Sequence, residues 1–305
     1  MKKVLLIAGG GSIGTYVAEE CLRLGYKVDV VCLEDKASDN ENLKYYKADA
    51  TIEYLKDLFG KVHYDGIVNF INYPNPEEYI PYHELLSNNT EHLIFISSYR
   101  VYGDLQHPIT EDAPLLLDVI KDNKRFIEEE DYALSKAKEE RYIKNSGCPK
   151  NWTVARPVIS FADKRFDLCM ACWHSVIDAA KEKKTFPLPI EAKNLTAGLD
   201  WAGNSGKIIA NLLFKECAIG EAYTISSAQN LTWSQVADIY TDLLGVKIEW
   251  VPADYPENAW RWYYDRAYDR KIDNSKVLKA TGLTPSDFKS IREGVRIELE
   301  KIGAI

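Results

Sequence analysis

Long apolar runs are missing: no stretch of the 305 residues approaches the roughly 20 apolar side chains that a bilayer-crossing helix needs. The first apolar segment, Val4 to Ala8, is short and passes straight into glycines, so no secretory signal is expected. Positive charge is in deficit. A formal net charge of −8 argues against general nucleic-acid affinity and leaves room only for a local basic groove. Cysteine is sparse as well, six residues scattered along the chain, which is too few for a disulfide scaffold of this size. With no export signal, these read as reduced thiols in a cytoplasm. Cys169 and Cys172, with His174 nearby, have a metal-like spacing, but there is no second cysteine pair. Residues 165–182 (RFDLCMACWHSVIDAAKE) read instead as a helix with a buried face, so core cysteines and no metal are expected. Linkers, repeats and low-complexity tracts are absent too. What remains is a globular chain long enough for one or two domains, 46% hydrophobic and 28% charged.

The most informative stretch is KVLLIAGGGSIGTYVAEECLRLG at 3–25. Val4-Leu5-Leu6-Ile7-Ala8 suits a parallel strand covered on both faces. From Ile13 the apolar residues Val17, Ala18, Cys21, Leu22 and Leu24 recur at helical spacing, and Gly25 stands where a C-terminal cap belongs. Between strand and helix lie Gly9, Gly10, Gly11, Ser12 and Gly14, with almost no side chains. Backbone N–H groups at such a helix start can approach a pyrophosphate closely, helped by the helix dipole. The frame departs from G-x-x-G-x-x-G at its first position, which is Ala8. Strand before, helix after is the context a dinucleotide site requires. Close packing without a ligand is the competing reading.

Strand and helix patterns alternate through the first half. Strands are expected at 27–33, 43–48, 66–71, 92–97 and 152–155, and helices at 52–59, 77–86 and 123–145. Alternation of this kind implies an α/β fold with a doubly wound parallel sheet, whose ligands bind at the carboxyl ends of the strands. Beyond Pro157, helices near 165–182, 203–214, 233–244 and 287–301 alternate with short strands at 222–226 and 247–251, which predicts a smaller lobe. The aromatic cluster Trp250, Trp260, Trp262, Tyr263 and Tyr264 reads as core or interface packing.

Tyr132-Ala-Leu-Ser-Lys136 opens the long helix. Residues four apart share a helix face, so the Lys136 ammonium can sit near the Tyr132 phenol. A nearby cation favours a phenolate, which would make Tyr132 a usable acid or base near neutral pH. The preceding strand ends in Ser97-Ser98, placing hydroxyls at the ligand edge of the sheet.

With these residues the chain resembles the extended and atypical short-chain dehydrogenase/reductases, a family that includes NAD-dependent epimerases and dehydratases of nucleotide sugars. The resemblance covers nearly the whole length. It rests on AGGGSIG at 8–14, Asp49, FISSYRVYG at 95–103, YALSK at 132–136 and Ala155-Arg156-Pro157, with later echoes in Phe186-Pro187-Leu188-Pro189, Leu199-Asp200-Trp201 and YTISSAQNLTWSQVADIY. It implies a dinucleotide-binding Rossmann domain at 1–160 and a smaller α/β lobe at 161–305, mainly substrate-binding, with some elements returning to the first sheet. It implies that Ser98 holds the substrate oxygen, Tyr132 transfers the proton, and Lys136 binds the nicotinamide ribose and tunes the tyrosine. Ser98 is preferred to Ser97 because it stands three residues before Val101, as in the family's S-x-x-V-Y-G pattern. Cofactor contacts are implied for Ala8, Gly9, Gly10, Gly11, Ser12, Ile13 and Gly14, for Asp49 and Ala50 near the adenine, and for Phe70, Ile71 and Asn72. Pro157 and Val158 are implied near the nicotinamide. The structural alternatives are a helix-capping role for Asp49 and core packing for Phe70 and Ile71.

The acidic residue that the family places at the end of strand two aligns near Cys32, with Glu34 and Asp35 slightly later and Lys36 the only nearby cation. NAD is therefore expected as cofactor, with NADP second. Ile159 stands where many sugar-nucleotide epimerases have asparagine, and no asparagine matches the upstream active-site position. The implied reaction is hydride transfer at a carbinol carbon of a small molecule, possible substrates being nucleotide sugars. A carbonyl reductase, or a cofactor-binding regulatory or RNA-binding protein without turnover, are the alternatives. A homodimer through the helices at 76–90 and 123–146 is the family expectation.

Overall fold

The computed structural model describes residues 1–120, 124–129, 131–169, 171–252 and 268–305. Its first half runs β1 (Lys3–Ile7), α1 (Ser12–Arg23), β2 (Lys27–Cys32), β3 (Leu43–Lys47), α2 (Ile52–Lys61), β4 (Gly66–Asn69), α3 (Pro76–Ser87) and β5 (His92–Ile96). Then come α4 (Leu116–Val119), α5 (Lys124–Glu129), α6 (Asp131–Asn145) and β6 (Trp152–Pro157). The second half runs β7 (Ile159–Phe161), β8 (Phe166–Asp167), β9 (Ala171–Trp173), α7 (Ser175–Lys181), β10 (Thr185–Pro189) and β11 (Leu199–Trp201). It continues with α8 (Ala202–Leu212), β12 (Glu221–Ile225), α9 (Trp233–Leu244), β13 (Lys247–Val251), α10 (Ser275–Thr281) and α11 (Ile291–Lys301).

Seven strands form one parallel sheet in the order β12-β6-β5-β4-β1-β2-β3. The apolar runs explain it. Alternate residues of β1 face opposite sides, Val4 and Leu6 packing with Val28, Val30 and the α8 residues Ile208 and Ile209, while Leu5 and Ile7 pack with Leu55 and Leu86. The direction of winding reverses between β1 and β4, so a crevice opens beyond their carboxyl ends. β12 comes from the second half of the chain and lies beside β6, so the lobes share the sheet. A second core gathers Phe161, Phe166, Leu188, Trp233, Tyr240 and Val295 from the remainder. Among the described residues, no helix is long and apolar enough to cross a membrane.

One expectation is overturned. Residues 165–182 are not a helix: β8 and β9 pair antiparallel, and only Ser175–Lys181 is helical. Asp167 is fully buried and held by Arg165, with Nε at 2.9 Å and Nη2 at 3.0 Å. Cys169 is buried and adopts φ 57° between the two strands, a left-handed conformation that a helix cannot contain. Trp250 packs against the second core with the Lys193 ammonium over its ring, while Trp260, Trp262, Tyr263 and Tyr264 lie outside the described residues.

Candidate active site

The glycine turn joins β1 to α1 at the crevice. Ala8 has φ 56°, the left-handed region that glycine occupies freely, which is the physical reason a glycine is expected there. A Cβ on Gly14 would collide with the backbone of Gly9, so α1 lies directly on the end of β1 only because Gly14 has none. A Cβ on Gly10 would lie 2.5 Å from Glu34 Oε2 and 2.8 Å from Cys32 Cβ, so the end of β2 closes over this side of the turn. A Cβ on Gly11 would meet nothing within 4 Å, so the outer face is open. Gly11 is the helix N-cap and gives no side-chain cap, which leaves the first N–H groups of α1 free of side-chain acceptors. This donor set suits a dinucleotide diphosphate. Lys36 Nζ donates to Gly10 O at 2.6 Å, and Asp35 turns away to Lys47 at 3.4 Å. Glu34 is thus the acidic side chain beside the turn.

The other expected contacts lie at the same edge. Asp49 is exposed after β3, and Ala50 is buried against Ile7 and Val31. Asp49 does not cap α2; Thr51 does, its hydroxyl accepting from Tyr54 N at 3.2 Å. β4 ends at Asn69, earlier than the apolar run suggests. Its buried side chain accepts from Ile71 N at 3.1 Å and donates to Tyr73 OH at 3.0 Å, which turns Phe70, Ile71 and Asn72 out of the sheet. Phe70 N still donates to Ile7 O, so this exit runs past β1. Pro157 and Val158 are buried where β6 leaves the sheet toward β12, Val158 N donating to Ile225 O.

Ser98 follows β5. Its hydroxyl accepts from Arg100 N at 3.2 Å and faces the Tyr132 side chain. Tyr132 is 37% exposed and enclosed around its hydroxyl, and the Arg100 guanidinium sits 5.6 Å from its ring centroid. Burial pushes the phenol above its usual value, and the neighbouring Ser98 hydroxyl and the Arg100 charge oppose that rise. Arg100 therefore supplies the close cation on Tyr132. The Lys136 ammonium, expected beside the phenol, is directed to Ile71 O at 3.3 Å, to Glu139 Oε2 at 3.1 Å and over the Phe95 ring at 4.7 Å.

α6 explains how charge reaches this place. Its buried face includes Ala133, Ala137 and Ile143, yet Ser135, Lys136, Glu139 and Glu140 are no more than 3% exposed. Charge that is buried must be paired. Glu140 accepts from Arg156 Nη2 at 2.6 Å, Arg156 Nε at 3.0 Å and Ser97 Oγ at 2.5 Å. Burial alone would lower the Arg156 guanidinium, but Glu140 holds it above its ordinary value. Arg156 also donates to Tyr102 OH at 2.9 Å, and Tyr102 pairs with Thr224 of β12 at 2.7 Å. This network fixes β5, α6, β6 and β12 around Ser98. Sequence reasoning missed Arg100, Asn69 and Glu139 as parts of the site. The helical spacing of Glu139 and Glu140 from Lys136 was the available signal for the last.

Residues 5–158, just over half of the chain, match the NAD dependent epimerase/dehydratase family. The chain belongs to that family. A search of curated protein sequences gave no match. Solved structures of the same fold include an epimerase from Methanothermobacter thermautotrophicus, 17% identical with TM-score 0.76, over 99% of this chain and 92% of that one. A dTDP-glucose 4,6-dehydratase from Bacillus anthracis, in complex with NAD, is 20% identical with TM-score 0.74, over 98% and 96%. A UDP-glucose 4-epimerase from Thermotoga maritima, with UDP-glucose, is 14% identical with TM-score 0.74, over 99% and 98%. At these identities the likeness establishes the fold.

The His63, Asp65 and Glu91 side chains gather at the opposite, amino-terminal edge of the sheet. Lys2 already neutralises that group, at 3.3 Å from Asp65 and 2.5 Å from Glu91.

Proposed function

We propose that this chain is an NAD-dependent enzyme that oxidises a carbinol carbon of a nucleotide sugar, as the first step of epimerisation or dehydration. The observation that carries the reading is the meeting of Ser98, after β5, and Tyr132, on α6, at the carboxyl edge of the sheet, with Lys136 buried beneath the β4 exit. Bound NAD would supply the hydride acceptor. Gly9 to Gly14 would hold its diphosphate through backbone N–H groups, and Glu34 its adenosine ribose. The carboxylate of Glu34 beside Gly10 disfavours a 2′-phosphate, which supports NAD over NADP.

Ser98 has one proton and two lone pairs, one of them accepting the Arg100 N–H. It can therefore donate to a Tyr132 phenolate or to the substrate hydroxyl. Tyr132 would take the substrate's hydroxyl proton as its phenolate, the form that burial disfavours and the Arg100 guanidinium favours. The likeness to a dTDP-glucose 4,6-dehydratase and to a UDP-glucose 4-epimerase holding UDP-glucose supports the substrate class.

Substituting Tyr132→Phe tests this with a panel of UDP- and dTDP-sugars in the presence of NAD. Turnover should fall by about 10²-fold or more, the usual contribution of a positioned proton-transfer group, while NAD affinity is retained. Unchanged turnover would exclude Tyr132 from the chemistry.

A further inference from the structure

Of the two acidic residues buried on α6, Glu140 is engaged by Arg156, Ser97 and, at 3.9 Å, Lys144. Glu139 faces the other way. It is fully buried, with Oε2 3.1 Å from Lys136 Nζ and Oε1 3.1 Å from Ser135 Oγ. We propose that Glu139 is a positioning residue of Lys136: its carboxylate keeps the buried lysine charged and holds it beneath Ile71, where the cofactor would pass. The inference rests on the NAD-dependent reading for its purpose and on the geometry alone for its existence.

Lys136 is 2% exposed, and a buried ammonium whose remaining polar contact is the carbonyl of Ile71 would give up its proton. Among the described residues the groups facing it are few. From the β4 exit comes the phenol of Tyr73, pushed up by burial and so neutral. From β5 comes the Phe95 ring. On α6 itself stand Tyr132, Glu139 and Glu140, the last matched by Arg156 of β6. Glu139 is therefore the carboxylate that balances Lys136. The pair is close but poorly aligned, for Oε2 receives no well-directed N–H. Nζ can thus turn toward a ribose hydroxyl without leaving its counter-charge. Burial depresses the proton affinity of Lys136, and Glu139 opposes that fall; Glu139 also raises the Tyr132 phenol. Removing the carboxylate must move both groups in the same direction, toward lower pH.

The test uses the full-length protein without substrate. Lysine side-chain resonances are followed by nitrogen-15 NMR against pH in the native protein and in Glu139→Gln, with Lys136→Arg assigning the signal. Lys136 should titrate about one unit lower or more in Glu139→Gln, a tenfold loss of proton affinity. An unchanged titration overturns the proposal, and so does a variant that merely melts earlier with Lys136 titrating as in the native protein. Should Glu139→Gln fail to fold, Glu139→Asp, which withdraws the charge by one methylene, should shift Lys136 in the same direction by less, and no shift overturns the proposal. A parallel NAD titration of the native protein separates the two readings. Failure to bind NAD with the Lys136 shift intact removes the enzymatic reading and supports the Glu139–Lys136 coupling.

Discussion

At the scale of single residues, the site is organised by what each polar atom can give or accept. Ser98 receives an N–H from Arg100 and faces Tyr132, so one hydroxyl links the turn after β5 to the start of α6. Ala8 shows the same economy from the opposite side, a side chain kept where the backbone is left-handed at φ 56°. A left-handed alanine costs roughly 1 kcal/mol, while glycine adds back roughly half of that as unfolded-chain entropy. Ala8→Gly should therefore stabilise the protein by about 0.5 kcal/mol in urea unfolding. A loss of stability would show that Ala8 does more than tolerate its backbone.

Elements are tied together by buried side chains as much as by the sheet. His92 of β5 accepts at Nδ1 from Phe214 N at 2.8 Å, so its proton sits on Nε2 and is shared with Thr153 of β6 at 2.8 Å. Thr153 in turn donates to Ala218 O at 2.5 Å. Burial lowers the His92 imidazole to about 4. Its folded value lies below the unfolded one, so the unfolded chain binds more protons in that window. The stability it confers is complete above pH 6.5 and is lost as pH falls toward about 4. The loss amounts to roughly 3 kcal/mol. The advantage of the native protein over His92→Gln should shrink by about that amount across the window, read from urea unfolding at several pH values. A pH-independent difference would contradict the neutral, buried assignment. The same scale shows what could be read in advance. β1, β2 and β5 were legible because runs buried on both faces leave no ambiguity, and so was the placing of Ser98 after β5 and of Tyr132 at the start of α6. Residues 165–182 were not, since short apolar spacings fit a hairpin as well as a helix. The fully buried Asp167, satisfied by its neighbour Arg165, is a pairing that no periodicity reveals. Arg100 and Glu139 were missed for a related reason: their partners are set by how α6 packs, not by their own sequence positions.

For the whole molecule, the closing device is Glu298 of α11. Fully buried, it accepts from Tyr16 OH of α1, from Trp201 Nε1 at 2.6 Å and from Asp163 N at 2.8 Å. The last helix is thereby pinned to the helix that opens the nucleotide turn. Anything that binds the turn in the folded state should stabilise the molecule as a unit, by about 2.7 kcal/mol at a hundredfold excess over Kd. In the proposed enzyme this turn, with Ala8 at its head, holds NAD over Ser98, Tyr132 and Lys136. Calorimetric titration of the native protein with NAD, and separately with NADP, tests it most directly. NAD should bind saturably at one site and more tightly than NADP; absence of NAD binding would rule out this role for the turn.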